Sequence, residues 1–426
     1  MGITFNITTC GPIKSAKLTL PDWGIVAIIG PSLSGKSMLE AAISSYALAS
    51  TVVSDGVLLG TLADRLIRES WGKLFSSLDR MEYLSSVQEY KGSEDFFRQL
   101  EEVIENATDR VLNIKGYLAR MAFLHDFCAA KEIEPWGKRV SATLEVDISV
   151  DQSRIYVRLP VPDPKLVGPK VLSDHIELNP ALNVVGLNIG RPTRFLKELY
   201  ENLKDETHKT VENETRSRCY PSALLAHSLL NDYRARLDPD VYQKFKEILK
   251  ESWEEISSLS IKNEEIAFLE TKRGPAVKFG DKIFSWDWTS EGFKNMLAHL
   301  LLFELVELLA LEGKRIIIGI EEPEAHLDPY VAFRLPALYS LIGERRKVVF
   351  LFTTHSEALV KGIEYAVRVG NLKCENVKVY ETIGKEKTFT LEERPVRESG
   401  IIEGSRFTKI AWKILRGEWN EELGKS

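Results

Sequence analysis

One segment of the chain has the residue types of a phosphate-binding loop. Residues 30–37 read Gly-Pro-Ser-Leu-Ser-Gly-Lys-Ser, which fits the pattern G-x-x-x-x-G-K-[S/T]. In such a loop the backbone N–H groups surround a phosphate at the start of a helix. Lys36 would reach the outer phosphates, and the Ser37 hydroxyl would bind Mg²⁺. A glycine- and serine-rich surface turn is the alternative, but the apolar run before the loop and the helical pattern after it favour nucleotide binding.

Two adjacent carboxylates follow a second apolar run. Residues 316–320 read Ile-Ile-Ile-Gly-Ile, and Glu321 and Glu322 come directly after them. A buried strand that ends there delivers both side chains to the carboxyl edge of a parallel sheet, where a phosphate loop also lies. One carboxylate can hold Mg²⁺ and its waters, and the next can polarise the attacking water. A buried strand and a solvated acidic turn would explain the same letters, but the phosphate loop favours a catalytic site.

A histidine ends a third apolar run. His355 follows Val-Val-Phe-Leu-Phe-Thr-Thr at residues 348–354. At this position it can donate a hydrogen bond to a terminal phosphate or to the attacking water. A lone histidine at a strand end is more often structural. Because two other polar clusters end strands of the same predicted sheet, we interpret His355 as a site residue.

The elements that must position these residues form an alternating pattern. An apolar run at residues 23–29 predicts a buried strand before the phosphate loop, and the pattern after the loop predicts a helix through Leu48. Strand, helix, strand and helix are then predicted at residues 315–320, 329–342, 347–353 and 357–368. This alternation is typical of an α/β fold with a mostly parallel sheet.

The rest of the chain predicts flanking strands and a mainly helical insertion. Strand pairs are predicted at residues 3–20, 140–159 and 265–285, and prolines at residues 160–169 predict a linker. Helices are predicted at residues 61–131 (two long ones), 192–216, 222–235, 239–258 and 290–311. We therefore predict a head built from residues 1–50 and 261–426. Residues 51–260 would form the insertion, an arm or cap with a small β segment near residues 140–160.

Composition and charge exclude several classes of protein. The net charge of −6 gives no overall basic surface for nucleic acid. Two small basic clusters, Lys272-Arg273 and residues 345–347, are typical of solvated turns, although either could touch a phosphate backbone. The four cysteines include no C-x-x-C pair, which argues against a zinc site or a disulfide framework. Since neither a signal peptide nor a membrane span is evident, we expect a cytoplasmic protein without membrane contact.

Four ordered segments resemble the motifs of OLD-like, RecF-like and SMC-like ATPases, which are relatives of the ABC ATPases. These segments are residues 11–16 (Gly-Pro-Ile-Lys-Ser-Ala), the phosphate loop, residues 320–329 (Ile-Glu-Glu-Pro-Glu-Ala-His-Leu-Asp-Pro) and residues 354–356 (Thr-His-Ser). The resemblance covers roughly residues 1–50 and 280–392. It implies an ABC-type P-loop ATPase head. Too few residues follow Glu392 for the Toprim nuclease domain of OLD proteins, so we expect that domain to be absent.

The resemblance also implies a role for each matching residue. Glu321 resembles the Walker B acid that holds the metal with Ser37, and Glu322 resembles the catalytic base. His355 resembles the switch histidine, and Asp328 the D-loop residue that reaches a partner subunit. The implied catalytic residues are Lys36, Glu322 and His355, and the implied nucleotide contacts are Gly30, Pro31, Ser32, Ser34, Gly35, Lys36, Ser37, Ser290, Gly292 and Asp328.

Ser290 and Gly292 come from a weaker match. Residues 289–295 (Thr-Ser-Glu-Gly-Phe-Lys-Asn) resemble the signature segment, which meets the terminal phosphate held by the other subunit. An ordinary helix cap at Ser290 is the alternative. This trans contact implies a homodimer with two ATP molecules between its subunits.

The chain departs from the family pattern at three places. The family loop usually reads G-P-N-G-S-G-K-S, whereas Ser32 and Leu33 occupy the third and fourth positions here. If Leu33 needs a positive φ, leucine is unfavourable there. Glu321 replaces the more general Walker B aspartate. No convincing Q-loop glutamine is evident, since Gln88 is the first glutamine of the chain.

Two hypotheses remain for what the ATP-driven dimer acts on. The resemblance favours a clamp on double-stranded DNA in repair, chromosome organisation or defence. The alternative is a regulatory ATPase that controls a separate nuclease or effector protein without touching DNA itself. A transporter ATPase is disfavoured, because the segment between Ser37 and Ser290 is very long for that class and the signature differs.

Overall fold

The computed structural model describes residues 3–54, 122–123, 126–127, 144–150, 153–159, 184–195, 222, 266–271, 274–279, 282–285, 289–310, 315–385 and 388–406. Nearly all of the helices predicted between residues 61 and 258 lie outside this part, as do the proline-rich linker and Lys272-Arg273. The four glutamines lie outside it as well, so the Q-loop prediction stays open.

Strands dominate the described structure. In chain order they are β1 (Ile3–Cys10), β2 (Ile13–Leu20), β3 (Gly24–Ile29), β4 (Leu144–Val150), β5 (Ser153–Leu159), β6 (Val184–Gly190), β7 (Ile266–Thr271), β8 (Gly274–Phe279), β9 (Lys282–Ser285), β10 (Arg315–Glu321), β11 (Val348–Thr354), β12 (Val377–Lys385) and β13 (Thr388–Arg394). Ten of them form one sheet in the order β5-β4-β1-β2-β13-β12-β3-β11-β10-β6, and β7-β8-β9 form a second.

The large sheet has a parallel half and a mainly antiparallel half. β12, β3, β11, β10 and β6 are neighbours and all run parallel. β5, β4, β1 and β2 pair antiparallel, and β13 joins β2 in parallel. Since parallel neighbours end at the same edge, the ends of β3, β10 and β11 meet as the sequence predicts. The α/β fold class is confirmed.

The central strands are apolar because both faces of the sheet are covered. The residues of β3 and β11 are all buried, as is typical of parallel strands between helices. The helices are α1 (Lys36–Ser54), α2 (Glu291–Ala310), α3 (Pro329–Arg346) and α4 (Glu357–Arg368). None of the helices in the described part of the chain combines the length and apolar character that a membrane span requires.

Strand register places α1 and α3 on opposite faces of the sheet. Phe350 and Phe352 of β11 both contact the Tyr339 ring of α3, at 4.6 and 4.8 Å between centroids. Leu351 lies between them in sequence and pairs with Gly319 of β10. A Cβ on Gly319 would meet Glu40 of α1. Because successive side chains of a strand point to opposite faces, α1 covers one face and α3 the other.

Several predicted elements agree with the structure. The strand pair at residues 3–20 and the pair near 140–160 are confirmed, and α4 has the predicted bounds. α1 continues to Ser54, beyond the predicted end at Leu48. The predicted strand at residues 276–285 is two strands, since Phe279 pairs with Lys282 across a two-residue Gly-Asp connection that favours a tight hairpin.

The large sheet also contains strands from the predicted insertion. β4, β5 and β6 lie between residues 51 and 260, yet all three pair within the sheet of the head. β6 was not predicted, and neither were β12 and β13. Asn188 and two glycines in β6 lower its strand propensity, but its neighbours compensate. The Thr51 hydroxyl of α1 donates to the Val184 carbonyl at 3.1 Å and accepts the Gly186 N–H at 2.9 Å.

The close approach of α1 to β6 predicts the effect of a single methyl group. A Cβ on Gly186 would lie 2.2 Å from backbone and side-chain carbons of Ala47, so α1 would have to move. We expect Gly186→Ala to destabilise the protein by about 1–3 kcal/mol, measured as the shift of a urea unfolding transition. An unchanged transition would contradict this packing of the helix on the strand.

Candidate active site

The phosphate loop connects β3 to α1 and surrounds the Lys36 ammonium. Lys36 is only 4% exposed. Its Nζ donates to the Pro31 carbonyl at 2.7 Å and lies 3.1 Å from Nε2 of His355. Burial lowers the pKa of Lys36 to about 8, although the charges of Glu322 and Glu321 oppose that shift. An ammonium held this way, with no carboxylate in contact among the described residues, is well suited to an anionic ligand.

The loop is strained at the position where the family pattern differs. Leu33 has φ 61° and is 94% exposed. This left-handed conformation disfavours a residue with a Cβ by about 1–2 kcal/mol. The sequence-based concern about leucine at this position is therefore justified. Non-glycine residues in such conformations cluster at functional sites.

β12 supports the loop from behind. The hydroxyls of Ser34 and Thr382 lie 2.7 Å apart, and a Cβ on Gly30 would be 1.9 Å from the Thr382 hydroxyl. Ser34 is buried, and its hydroxyl is bonded to β12. Ser32 is exposed at the loop tip. Glu381 lies beside the loop, where it accepts from Arg394 Nε at 2.7 Å.

The predicted catalytic residues meet at the carboxyl edge of the sheet. Glu322 has φ 50°, and its N–H donates to the Thr353 carbonyl at 2.9 Å. One oxygen of its carboxylate lies 3.7 Å from His355 Nε2. Partial burial and then the charge of Lys36 lower the pKa of His355, so its imidazole is neutral at pH 7. Lys36, His355 and Glu322 thus form one continuous group, which we call the cis cluster.

The predicted metal ligands have the chemistry that Mg²⁺ prefers. Ser37 lies in the first turn of α1 and Glu321 ends β10, and both are partly exposed. The charge of Glu321 acts on Lys36, which places this carboxylate near the loop. A hydroxyl and a carboxylate are hard oxygen donors, and Mg²⁺ in phosphate sites uses few of them together with waters and substrate oxygens. The two residues therefore fit the ion.

A third glutamate joins the turn at residues 322–328, which we call the acidic turn, to the segment that carries His355. Glu324 Oε1 accepts from the Thr354 hydroxyl at 2.5 Å, and that hydroxyl accepts the Ser356 N–H at 2.9 Å. Glu324 Oε2 is buried and has no hydrogen-bond partner among the described residues. Burial raises the pKa of Glu324 to about 7, and the charge of Glu322 contributes. The bond through Thr354 fixes the backbone on both sides of His355.

The predicted signature segment begins α2. Ser290 Oγ accepts the Phe293 N–H at 3.2 Å, which is the helix cap that the sequence offered as the alternative. A Cβ on Gly292 would lie 2.5 Å from the His326 carbonyl. Asp328 caps α3 by accepting the Tyr330 N–H at 2.8 Å. These residues lie close together, and we call the surface of Ser290, Gly292, His326 and Asp328 the signature face.

The contacts of the signature face are made within its own helix caps and with the turn at residues 322–328. Ser290 and Asp328 cap their own helices, and a Cβ on Gly292 would meet the His326 carbonyl of that turn. The structure thus brings Lys36, His355 and Glu322 together, and it places the signature residues beside the turn that carries Glu322.

α2 holds the acidic turn through two buried side chains. His299 Nε2 donates to the Pro323 carbonyl at 2.7 Å, and its Nδ1 accepts from the Tyr339 hydroxyl at 2.6 Å. Burial lowers the pKa of His299 to about 4, so the ring is neutral with its proton on Nε2. Asn295 Nδ2 donates to the Pro323 and Ala325 carbonyls. The signature helix is therefore bonded to the turn that carries Glu322.

Sequence reasoning missed three residues of this site. Arg191 follows β6, and its guanidinium lies 3.7 Å from Glu322 Oε2. Arg191 comes directly after an apolar run, so the same rule that identified Glu321 and His355, a polar residue at the end of a buried strand, could have identified it. Arg406 donates its backbone N–H to Glu381 at 3.1 Å, and its charge lowers the pKa of Lys36. Arg406 does not stand out in sequence as a neighbour of the loop. Glu324 lies in the motif at residues 320–329, but its sequence position gives no sign of its bond to Thr354.

The basic cluster at residues 345–347 has a structural role. Arg345 and Arg346 lie in the last turn of α3, where cations stabilise the helix dipole. Lys347 is the left-handed cap of that helix, and its Nζ lies 5.1 Å above the Trp23 ring. These contacts favour the solvated-turn interpretation of the cluster.

Comparison by sequence gives one family. The family described as "AAA domain, putative AbiEii toxin, Type IV TA system" matches residues 200–361, less than half of the chain. The match includes α2, the acidic turn and His355, and excludes the phosphate loop. No protein with a curated description matches the sequence.

Comparison by structure gives SMC head domains. The "SMC head domain from Thermotoga maritima" is 12% identical, with 93% of this chain and 100% of that chain covered and a TM-score of 0.34. The Smc head domain with an extended coiled coil bound to the C-terminal domain of ScpA, from Pyrococcus furiosus, is 14% identical over 100% of both chains, with a TM-score of 0.38. A SmcHead bound to the C-winged helix domain of ScpA is 12% identical over 93% and 98%, with a TM-score of 0.37.

The buried Glu324 predicts a pH-dependent stability. Its pKa is raised to about 7 in the folded protein, so the folded state holds this proton more tightly than the unfolded state. That stability is present below about pH 4.5 and is lost as the pH rises through about 7. Glutamine has no proton to lose, so Glu324→Gln should gain about 1–3 kcal/mol relative to wild type between pH 5 and pH 8.

Urea unfolding at several pH values measures this difference. Glu357→Gln, which removes one negative charge from an exposed site in the first turn of α4, serves as the control. A difference between wild type and Glu324→Gln that stays constant with pH would contradict the prediction.

Proposed function

We propose that the protein binds ATP with Mg²⁺ and hydrolyses it at the cis cluster. This proposal rests on the proximity of Lys36, His355 and Glu322 at the edge of the sheet where the phosphate loop leads into α1. A buried ammonium can stabilise phosphate oxygens, a carboxylate can take a proton from water, and a neutral imidazole can donate a hydrogen bond to the water or to a phosphate oxygen. Ser37 and Glu321 would hold the ion, which neutralises phosphate charge when bound.

Each residue of the cis cluster has a defined task in this reaction. Water attacks the terminal phosphorus, and the bond between that phosphorus and the bridging oxygen of ADP breaks. Glu322 takes the proton of the attacking water. Lys36 stabilises the outer phosphate oxygens. His355 is neutral and 3.7 Å from Glu322, so it can bond the water or a phosphate oxygen without adding charge beside Lys36.

The exposure of the signature face supports a dimeric mechanism. Ser290 and Asp328 are exposed, and Tyr330 beside them is 55% exposed although it is a large aromatic residue. In a symmetric dimer the signature face of one chain would cover the nucleotide on the loop of the other. We propose that ATP holds two chains together in this way and that hydrolysis separates them.

The bond between α2 and the acidic turn would couple the two nucleotide sites. His299 and Asn295 fix Pro323, the residue next to Glu322. When the signature face of a chain meets its partner's nucleotide, a shift of α2 would reach the Glu322 of that same chain. Hydrolysis at one site would therefore depend on occupancy of the other.

We propose a DNA-associated clamp as the role of this cycle, on the basis of the motifs that resemble SMC-like, RecF-like and OLD-like ATPases. The second candidate is control of a separate effector protein. It is favoured by the family match, whose description names a putative toxin and a toxin–antitoxin system. A cytoplasmic location suits both.

Removal of the proposed base should stop hydrolysis without preventing ATP binding. Glu322→Gln keeps the shape of the side chain but cannot take a proton, so we expect turnover to fall about 100- to 10,000-fold. ATP would then accumulate in the dimer. Phosphate release measures turnover. Light scattering in the presence of ATP or ADP measures the mass of the protein in solution and so distinguishes the monomer from the dimer.

Double-stranded DNA separates the two candidate roles. A DNA clamp should show DNA-stimulated turnover and binding that weakens steeply with salt, by about 0.9 log units per log unit of salt for each phosphate contacted. ATP-dependent dimerisation without any response to DNA would favour the effector role. ATP binding without dimerisation would contradict the assignment of the signature face.

The lowered pKa of Lys36 predicts proton uptake when ATP binds. At pH 8 a group with a pKa of about 8 is roughly half protonated, and a bound polyphosphate would keep it protonated. We expect uptake of about half a proton per site at this pH. Calorimetric titration in buffers of different ionisation enthalpy measures it. Lys36→Arg, with a cation that stays protonated, should abolish the uptake, and proton release by wild type would contradict the prediction.

A further inference from the structure

Arg191 occupies a place at the cis cluster that no motif assigns. β6 pairs with β10 in parallel, with Gly190 level with Ile320. Arg191 immediately follows β6 and therefore lies at the same sheet edge as the acidic turn. Arg191 NH2 is 3.7 Å from Glu322 Oε2, while His355 is 3.7 Å from Oε1. The carboxylate of the proposed base thus lies between a guanidinium on one side and an imidazole on the other.

The contact between the Arg191 and Glu322 side chains is loose, whereas the backbone of Arg191 is firmly held. The Arg191 side chain is 58% exposed, and 3.7 Å exceeds a hydrogen-bond length, so the contact contributes little and can break easily. The Arg191 carbonyl accepts the N–H groups of Arg194 and Phe195 at 3.0 Å. Phe195 is 1% exposed and anchors this turn in the core. A fixed backbone with an exposed and weakly held guanidinium suits a group that exchanges partners.

We propose that Arg191 is a further catalytic residue, which leaves Glu322 when ATP binds and contacts the terminal phosphate. A terminal phosphate between Lys36 and Glu322 carries more negative charge than the carboxylate, and a guanidinium can bind two of its oxygens at once. The exchange frees Glu322 to take the proton of the attacking water. It also places a cation where charge develops during phosphoryl transfer. ADP lacks that phosphate, so Arg191 would distinguish ATP from ADP.

This inference rests on the proposed ATPase activity and is tested with the full chain. Arg191→Ala is compared with wild type, with Arg191→Lys and with Arg194→Ala, an arginine one turn further along. Calorimetry gives the affinity for ADP and for a non-hydrolysable ATP analogue, phosphate release gives kcat, and thermal melting reports on folding.

We expect Arg191→Ala to weaken binding of the ATP analogue about tenfold or more, while the affinity for ADP stays nearly unchanged. Its kcat should fall about 100- to 1,000-fold. Arg191→Lys should recover part of the loss because it restores a single charge, and Arg194→Ala should behave as wild type.

Three results would overturn the inference. Unchanged affinities with an equal or higher kcat would mean that Arg191 only restrains Glu322. If Arg191→Ala weakens the binding of ADP and of the ATP analogue equally and also lowers the melting temperature, the role of Arg191 is structural. A wild-type protein that binds no ATP would refute the proposed function, and this inference with it, before any variant is measured.

Discussion

The site depends on a buried cation that has no carboxylate in contact within the described part of the chain. Lys36 is 4% exposed, and its Nζ bonds a backbone carbonyl and a neutral imidazole. Burial disfavours its charge, which is why its pKa is lowered to about 8. Glu322 and Glu321 act on it only from a distance. Three segments therefore position this positive charge to bind a phosphate: the loop, the acidic turn and the His355 segment.

The acidic turn connects the two functional surfaces of the site. It contributes Glu322 to the cis cluster and His326 to the signature face. Its backbone is fixed from one side by His299 and Asn295 of α2, and from the other by the bond between Glu324 and Thr354. Because breaking these buried hydrogen bonds is costly, the turn, α2 and the His355 segment are expected to shift together.

Backbone strain is concentrated in the same small region. Among the described residues, four non-glycine positions have positive φ: Leu33, Glu322, His326 and Lys347. The last is a helix cap away from the site, but the first three lie in the phosphate loop and the acidic turn. Such strain persists only where the surroundings over-determine the conformation. At Glu322 the bond from its N–H to the Thr353 carbonyl supplies part of that constraint.

The sequence by itself determined which side chains end the central strands. Buried parallel strands must be apolar on both faces, so each appears as an apolar run, and the polar residue after it marks the sheet edge. Residues 30–37, Glu321, Glu322 and His355 were found in this way, and the structure brings them to one edge.

Only the tertiary structure decided which groups are neighbours across strands. Arg191 meets Glu322 because β6 pairs with β10, and Thr382 supports Ser34 because β12 pairs with β3. The partner of a strand is set by long-range packing, and hydrophobic periodicity records only which residues are buried. For the same reason the sequence assigned β4, β5 and β6 to an insertion, whereas their hydrogen bonds make them part of the central sheet.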